Sequence, residues 1–448
     1  MSLFRRWHRA SALTARPDHT PESGPVLDIA GSAKALPSAF FLLLVVQILS
    51  ALADNAFLIV AIARLIELGS VAWLVPILKI SASFFYVALA PFVGPLSDAF
   101  PKGRVMFAAN LLKVFAVLMM IGGVNPVLAI GLAGVGAAIY APAKYGLVTE
   151  LLPAQDLVRA NGYFESATVC AVILGTAIGG FLISPAMPAL VMRWPWDDSP
   201  VAHTALFAGL LVLLALNGLA LVLSAAVKDT GARYDAHPRA IGQNVRRFWD
   251  DNRQLWQDRL GGISMSVTTL LWAVGATMQL IILRWANESL GMSLTHAAYL
   301  QGVTAVGAIC GAVLASRAVV LARAIEVMPV GILMGVLLPA LLLVHQPGWA
   351  VVLLVTLGVL AGFVVVPMNA VLQHRGCTLL SAGCSIAVQG FNENGGMLIL
   401  LGLYAVTVAL ALPLNILIFG FGVLVACGMA AIYFRGYATR RGAPVVVN

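Results

Sequence analysis

The sequence predicts an all-α integral membrane protein: twelve transmembrane helices in two pseudo-symmetric six-helix bundles. Three observations carry this expectation. Charged residues make up 10% of the 448-residue chain, 60% are hydrophobic, and mean hydropathy is +0.94. A soluble domain carries about 25% charged residues. Apolar runs recur along the chain, each long enough to cross ~30 Å of hydrocarbon as a helix of about 20 residues. The basic residues gather in alternate connections between those runs.

Residues 1–36 are polar and Pro-rich, without the short apolar core and small-residue cleavage site of a signal peptide, and are expected to form a disordered cytoplasmic tail. The first bundle, 37–227, draws its spans from runs at 37–66, 71–97, 104–123, 126–151, 158–184 and 201–227. Turn residues such as Gly122-Gly123 and Asn125-Pro126 separate close neighbours, which makes them antiparallel hairpins. Residues 228–259 form a cytoplasmic middle loop. From Gln243 onward, Val245, Phe248, Trp249, Leu255 and Trp256 stand among charges. That pattern reads as an amphipathic helix on the inner membrane surface, or as a solvated linker helix. The second bundle, 260–434, takes its spans from 260–286, 295–317, 325–345, 348–372, 381–410 and 412–434, and 435–448 form a second cytoplasmic tail. Run length and the absence of period-two alternation select helices over a β-barrel.

The net charge of +8 does not point to nucleic acid, because 21 of the 27 Lys and Arg fall in the tails and in loops on one side. Such a bias places both termini in the cytoplasm and adds attraction to anionic membrane lipids. Cys170, Cys310, Cys377, Cys384 and Cys427 show no C-x-x-C spacing and read as buried thiols, implying neither disulfide nor metal.

An internal repeat relates the halves. GPLSDAFPKGR at 94–104 faces GAVLASR at 311–317, AIYAPAK ending at Lys144 faces FVVVPMN ending at Asn369, and NGYFES at 161–166 faces QGFNEN at 389–394. The three matches run in order at offsets of 217, 225 and 228, as a duplicated six-plus-six chain requires.

Ionisable residues inside the spans are few, and each is a candidate for a hydrated cavity. Asp54, beside Asn55, lies about 24 Å along the first helix at ~1.5 Å per residue, and is expected to contact substrate or close an outer gate. Lys144 follows Pro142 between Tyr140 and Tyr145. Its ammonium suits a phosphate, or else snorkels to the interface. Glu393 sits in the densest polar cluster of any span, with Gln389, Asn392 and Asn394. Its repeat partner Glu165 is a gate residue or pairs with Arg159, Lys144 or the loop bases. Gln279 should face the cavity opposite Asp54, while Arg284 either anchors the outer interface or reaches towards Asp54. Lys79 and Lys113 are further cavity candidates, and Arg64 snorkels.

Several chemistries are missing from the sequence. There is no G-x-x-x-x-G-K-[ST] loop for ATP, no H-E-x-x-H, no G-x-S-x-G and no H-x-x-x-x-D acyltransferase motif. The expectation is a carrier without a cofactor, and not an enzyme.

The segment GPLSDAFPKGR resembles the loop signature between spans two and three of the major facilitator superfamily, which implies the major facilitator fold, with two bundles rocking about a central cavity. Gly94, Asp98, Lys102 and Arg104 are then gating residues. Further strings are similar to the bacterial lysophospholipid transporter (LplT) family: SALADNAFL, GVGAAIYAPAKYGLVTEL, VRANGYFESATVCAVILG, GFVVVPMNAVLQHRG and AVQGFNENGGMLIL. The resemblance covers about 37–434. It implies a flippase-like secondary transporter of the bacterial inner membrane. Such a carrier moves lysophospholipids, chiefly lyso-phosphatidylethanolamine, from the outer to the inner leaflet for reacylation. It also implies a functional partner, a cytoplasmic-side lysophospholipid acyltransferase/acyl-carrier-protein synthetase. The family has an Arg where this chain has Gln279, and the N-terminal tail and 185–200 look extended here. The alternative is a proton-coupled drug or small-solute exporter of the same superfamily, with Asp54 or Glu393 carrying the proton. A third reading is a membrane scaffold for the acyltransferase.

Overall fold

The computed structural model describes residues 36–69, 74–184, 205–232, 234, 241–292 and 294–440. The helices α1 (Ser38–Glu67), α2 (Leu74–Ala99), α3 (Lys102–Ile121), α4 (Pro126–Leu151), α5 (Leu157–Leu182) and α6 (Ala205–Ala225) pack on one another. They share a hydrophobic core that includes Phe57, Leu78, Val117 and Leu213. A second group has its own core around Trp285, Met328, Leu354 and Met429. It comprises α8 (Arg259–Leu290), α9 (Leu294–Ala318), α10 (Met328–Leu337), α11 (Pro347–Leu379), α12 (Ala382–Ala409) and α13 (Leu414–Arg440). Between the groups lies α7 (Ile241–Gln257). Among the described residues, ten helical segments are long and apolar enough to cross a membrane by length and composition.

Local chemistry sets several boundaries. Asn125 caps α4 by accepting the Val127 N–H at 2.9 Å, with Pro126 at the first helical position, where a missing N–H costs nothing. Asp258, the one residue between α7 and α8, caps α8 by accepting the Gly261 N–H at 2.8 Å. Gly291, at φ 61°, ends α8 in the left-handed conformation that glycine adopts without strain. Backbones meet most closely where α9 crosses α11. A Cβ on Gly307 or Gly311 would strike the α11 backbone, and one on Gly358 or Gly362 the α9 backbone.

Two expectations are corrected. The ninth span is not one α-helix: α10 is flanked by 3-10 turns at Leu321–Val327 and Leu338–Leu343. Pro329 starts the α-helical part and Pro339, which has no N–H to donate, ends it. The last helix continues to Arg440, past the end of its apolar run. Of the cysteines, only Cys384 is buried; Cys170, Cys310 and Cys427 lie on the outer faces of α5, α9 and α13, where apolar side chains also face outward. The tail to residue 35, the 185–200 interval, residues 441–448 and the Lys79 side chain lie outside the described residues.

Candidate functional site

Two sets of side-chain hydrogen bonds join α1–α6 to α8–α13 towards the end of the molecule where α7 sits. The first set surrounds Asp98, at the C-terminal end of α2, whose side chain is 1% exposed. Ser381, the N-cap of α12, makes no capping bond of its own. Asp98 caps α12 from the other bundle instead. Its Oδ1 accepts the Gly383 N–H at 2.8 Å, and its Oδ2 accepts the Cys384 N–H at 3.1 Å and the Ser381 hydroxyl at 2.5 Å. A carboxylate at a helix N-terminus meets unpaired N–H groups and the positive end of the helix dipole. Gly94, one turn back, lets the α12 backbone approach, because a Cβ there would lie 2.9 Å from Cys384 Cα.

Lys102 extends this network, its ammonium lying 3.2 Å from Asp98 and 3.1 Å from Glu150. Glu150 also accepts Thr230 Oγ1 at 2.5 Å and the Tyr234 hydroxyl at 3.0 Å, which ties the chain after α6 to the same cluster. Tyr234 lies outside the spans; burial first, then the adjacent Glu150 charge, pushes its phenol well above the usual range. Arg104 stands apart from this cluster, its side chain exposed on α3. It follows the buried Lys102 and Gly103 directly, and the rotation of about 100° per residue turns it out of the packed face.

The second set is a ladder between α5 and α11. Asn161 and Gln373 exchange amide hydrogen bonds at 2.8 and 3.0 Å. A turn deeper, Asn369 donates to Glu165 at 3.0 Å. The spacing Asn161/Glu165 on α5 matches Gln373/Asn369 on antiparallel α11, since residues four apart share a helix face. From Asn369 the chain continues to Gln389, which donates to Asn369 at 3.1 Å and to Glu393 at 2.8 Å. Glu165, Asn369, Gln389 and Glu393 therefore form one polar string across the two bundles. Neither glutamate has a basic side chain within ion-pair reach among the described residues.

Lys144 lies beside this string, 6% exposed. Its ammonium stands 4.0 Å from the centre of the Tyr145 ring and 5.9 Å from those of Tyr140 and Phe164. Among the described residues it makes no ion pair and no hydrogen bond. Aromatic faces stabilise a cation partially, yet a desolvated ammonium with three free donors is poised for an anion. Its burial rules out snorkelling to the interface.

Asp54 is engaged elsewhere. Its carboxylate pairs with Lys113 at 2.5 Å, the lysine side chain being 2% and the aspartate 33% exposed. Lys113 also donates to Ser50 at 2.8 Å, Ser50 to Asn110 at 3.2 Å, and Asn110 to Ser224 at 2.8 Å, so the pair is anchored across α1, α3 and α6.

Four further candidates make contacts of their own. Arg284 pairs with Glu288 one turn along α8 at 2.7 Å and does not reach Asp54. Asn55 returns its amide to the Ala51 carbonyl of its own helix at 2.8 Å. Asn392 turns from the string towards α7, donating to Asn252 at 2.7 Å and accepting the Trp256 indole N–H at 3.0 Å. Gln279 is exposed, and its contribution to bonding is the backbone carbonyl that accepts from Gln301 at 2.7 Å.

Sequence reasoning missed Asn161, Gln373, Ser381, Glu150 and the pairing role of Lys113. One signal for the ladder was present: Asn161 and Glu165 four apart on one helix, Asn369 and Gln373 four apart on another.

Two six-helix groups joined by charged and amide contacts at one end, with an unpaired buried cation beyond them, define a multi-pass membrane transporter of the facilitator type. Residues 40–376 match the Major Facilitator Superfamily profile. The lysophospholipid transporter LplT of Salmonella arizonae is 36% identical over 391 residues, 87% of this chain and 94% of that protein. LplT of Shigella flexneri is 37% identical over the same shares. The solved structure of the transporter FucP in the outward conformation superposes with a TM-score of 0.66 at 14% identity, over 90% of this chain and 99% of that one. The chain belongs to the major facilitator superfamily and, within it, to the LplT family.

Proposed function

We propose that this protein carries lysophospholipids across a bacterial inner membrane, from the outer to the inner leaflet, with both termini in the cytoplasm. Bundles at 37–227 and 260–434 are joined by 228–259, and α7 lies on the cytoplasmic side. The observation that carries the chemistry is Lys144, a buried ammonium among aromatic rings with no carboxylate paired to it. It receives the headgroup phosphate. Glu393, without a basic partner, meets the ethanolamine ammonium. Relatives named lysophospholipid transporters, matched over 94% of their length, support the substrate class. Gly94, Asp98, Lys102 and Glu165 hold the cytoplasmic end closed in this conformation, and those bonds break when the carrier opens inward.

The driving force is the gradient of lyso-lipid, which a cytoplasmic-side acyltransferase maintains by consuming it. A proton-coupled exporter is the second reading, favoured by two glutamates, Glu165 buried and Glu393 half-buried, that lack a cation partner. The test is leaflet-resolved uptake of labelled lyso-phosphatidylethanolamine into vesicles, with a diacyl lipid as control and with or without ionophores. Lys144→Ala should abolish uptake and Lys144→Arg retain part of it, with both variants at normal membrane levels. Wild-type uptake by Lys144→Ala, or equal handling of the diacyl lipid, overturns the proposal. Complete loss of movement with ionophores selects the coupled reading.

A further inference from the structure

A cavity of about 310 Å³ opens beside the start of α8 and the end of α13, away from the polar string. Its lining is graded. Arg259, Arg435 and Gln257 lie at the α7 end of the molecule, and Ile263 and Ile432 lie one turn further along α8 and back along α13. Trp256 closes one side and Ser266 lies deeper, among apolar neighbours. Asp258 also lines it, but both its oxygens are taken by Arg375, at 3.1 and 2.5 Å. That pairing leaves Arg259 in the lining without a carboxylate partner among the described residues. Arg259 is incompletely satisfied: its Nη2 makes a long 3.4 Å bond to the Gly436 carbonyl, and its Nε is buried without a partner.

A buried guanidinium N–H without an acceptor is costly. Two arginines at a helix end, an indole beside them and apolar walls one turn deeper match the polarity profile of a lipid, with phosphate at the interface and acyl carbons below. The α8 N-terminus adds the positive end of its dipole. Sulfate or free phosphate would use the arginines alone and leave the apolar walls to water.

We infer that the cavity between α8 and α13 binds the headgroup of an anionic diacyl phospholipid from the inner leaflet, its phosphate on Arg259 and Arg435. The occupant is a resident lipid, separate from the transported molecule. Through Asp258 the same corner is fastened to α11, and through Trp256 and Asn392 to α12. A bound lipid therefore steadies the junction at which α7 meets the second bundle.

The experiment is native mass spectrometry and thermal unfolding of the purified full-length protein in detergent, titrated with phosphatidylglycerol, with phosphatidylcholine and with inorganic phosphate. Phosphatidylglycerol should bind and raise Tm, with phosphatidylcholine much weaker and phosphate ineffective at the same concentration. Arg435→Gln should weaken phosphatidylglycerol binding about five-fold, and the Arg259→Gln/Arg435→Gln pair about 25-fold, as expected for roughly equal contributions from each basic side chain near an anionic lipid. Because Arg259 also bonds the α13 backbone, Ala431→Phe provides an independent arm; it fills the cavity from an exposed helix face and should block binding with both arginines present. Equal binding of the two lipids, equal stabilisation by inorganic phosphate, or unchanged phosphatidylglycerol binding in the double variant or in Ala431→Phe each overturns the proposal. None of these readouts depends on lysophospholipid uptake.

Discussion

Asp98→Asn is the substitution that most directly tests how the α7 end is held shut. The carboxylate receives four donors in this conformation: the Gly383 and Cys384 N–H groups, the Ser381 hydroxyl and Lys102. Asn is nearly isosteric, so the α2–α12 packing at Gly94 is kept. The amide retains one acceptor oxygen and turns an NH2 towards donors that need an acceptor. A hydrogen bond to a charged group is worth ~1.5–3 kcal/mol, and a carboxylate at a partly buried helix N-terminus up to ~2 kcal/mol. Lys102 keeps Glu150 at 3.1 Å, which limits the damage. The closed end should lose about 2–4 kcal/mol, and at ~1.4 kcal/mol per decade the open form gains roughly 30- to 1,000-fold in population. Cys384 reports this directly, because its side chain is buried and its own N–H is one of the donors to Asp98. With the other four cysteines replaced by serine, its labelling by an impermeant maleimide in inverted vesicles should accelerate by the same factor, while a detergent-unfolded control labels equally. Unchanged labelling in Asp98→Asn would show that the cap does not hold this end closed.

Three further outcomes follow from the contacts described. Asp54→Asn strands the Lys113 ammonium, so its Tm should fall by the equivalent of about 3 kcal/mol, the scale for orphaning a buried charge; Asp54→Asn/Lys113→Met should recover most of the loss in the same unfolding assay. Asn161→Ala leaves the Gln373 amide buried without its partner, costing about 1–3 kcal/mol, and should speed Cys384 labelling less than Asp98→Asn does. Burial alone would raise the Asp258 carboxyl, but the Arg375 hydrogen bond, the Gly261 N–H, the Arg375 charge and the Leu260 N–H outweigh it, and the group sits below its ordinary value. Its contribution to stability is therefore complete above the ordinary Asp value and is lost as pH falls through the lower folded value. A Tm profile from neutral to acid pH should show that limb in the wild type and not in Asp258→Asn.

Much of the fold was legible because membrane insertion is read residue by residue. Span length, hydropathy and the placement of basic side chains are local properties, and they located the helices to within a few residues. They also located α7, whose apolar side chains recur among charges at helical spacing. The ninth span was misread because proline at both ends of α10 changes the hydrogen-bond ladder without changing hydropathy. Arg440 remained hidden because a basic, polar stretch continues a helix as readily as it ends one.

The sequence by itself determined which side chains would be forced to find partners: Asp54, Asp98, Lys102, Lys144, Glu165 and Glu393 are ionisable residues in or beside apolar spans. Only the tertiary structure decided which partner each one found. Asp54 meets Lys113 across 59 residues of chain, and Asp98 caps a helix whose N–H groups lie 285 residues away. Asn392, one position from Glu393, turns to α7 instead of the string, because neighbours in a helix point about 100° apart. Lys144 alone among these ends beside rings and no carboxylate. The cost of burying a polar group is written in its own chemistry, while the groups that offset that cost are set by how the helices cross.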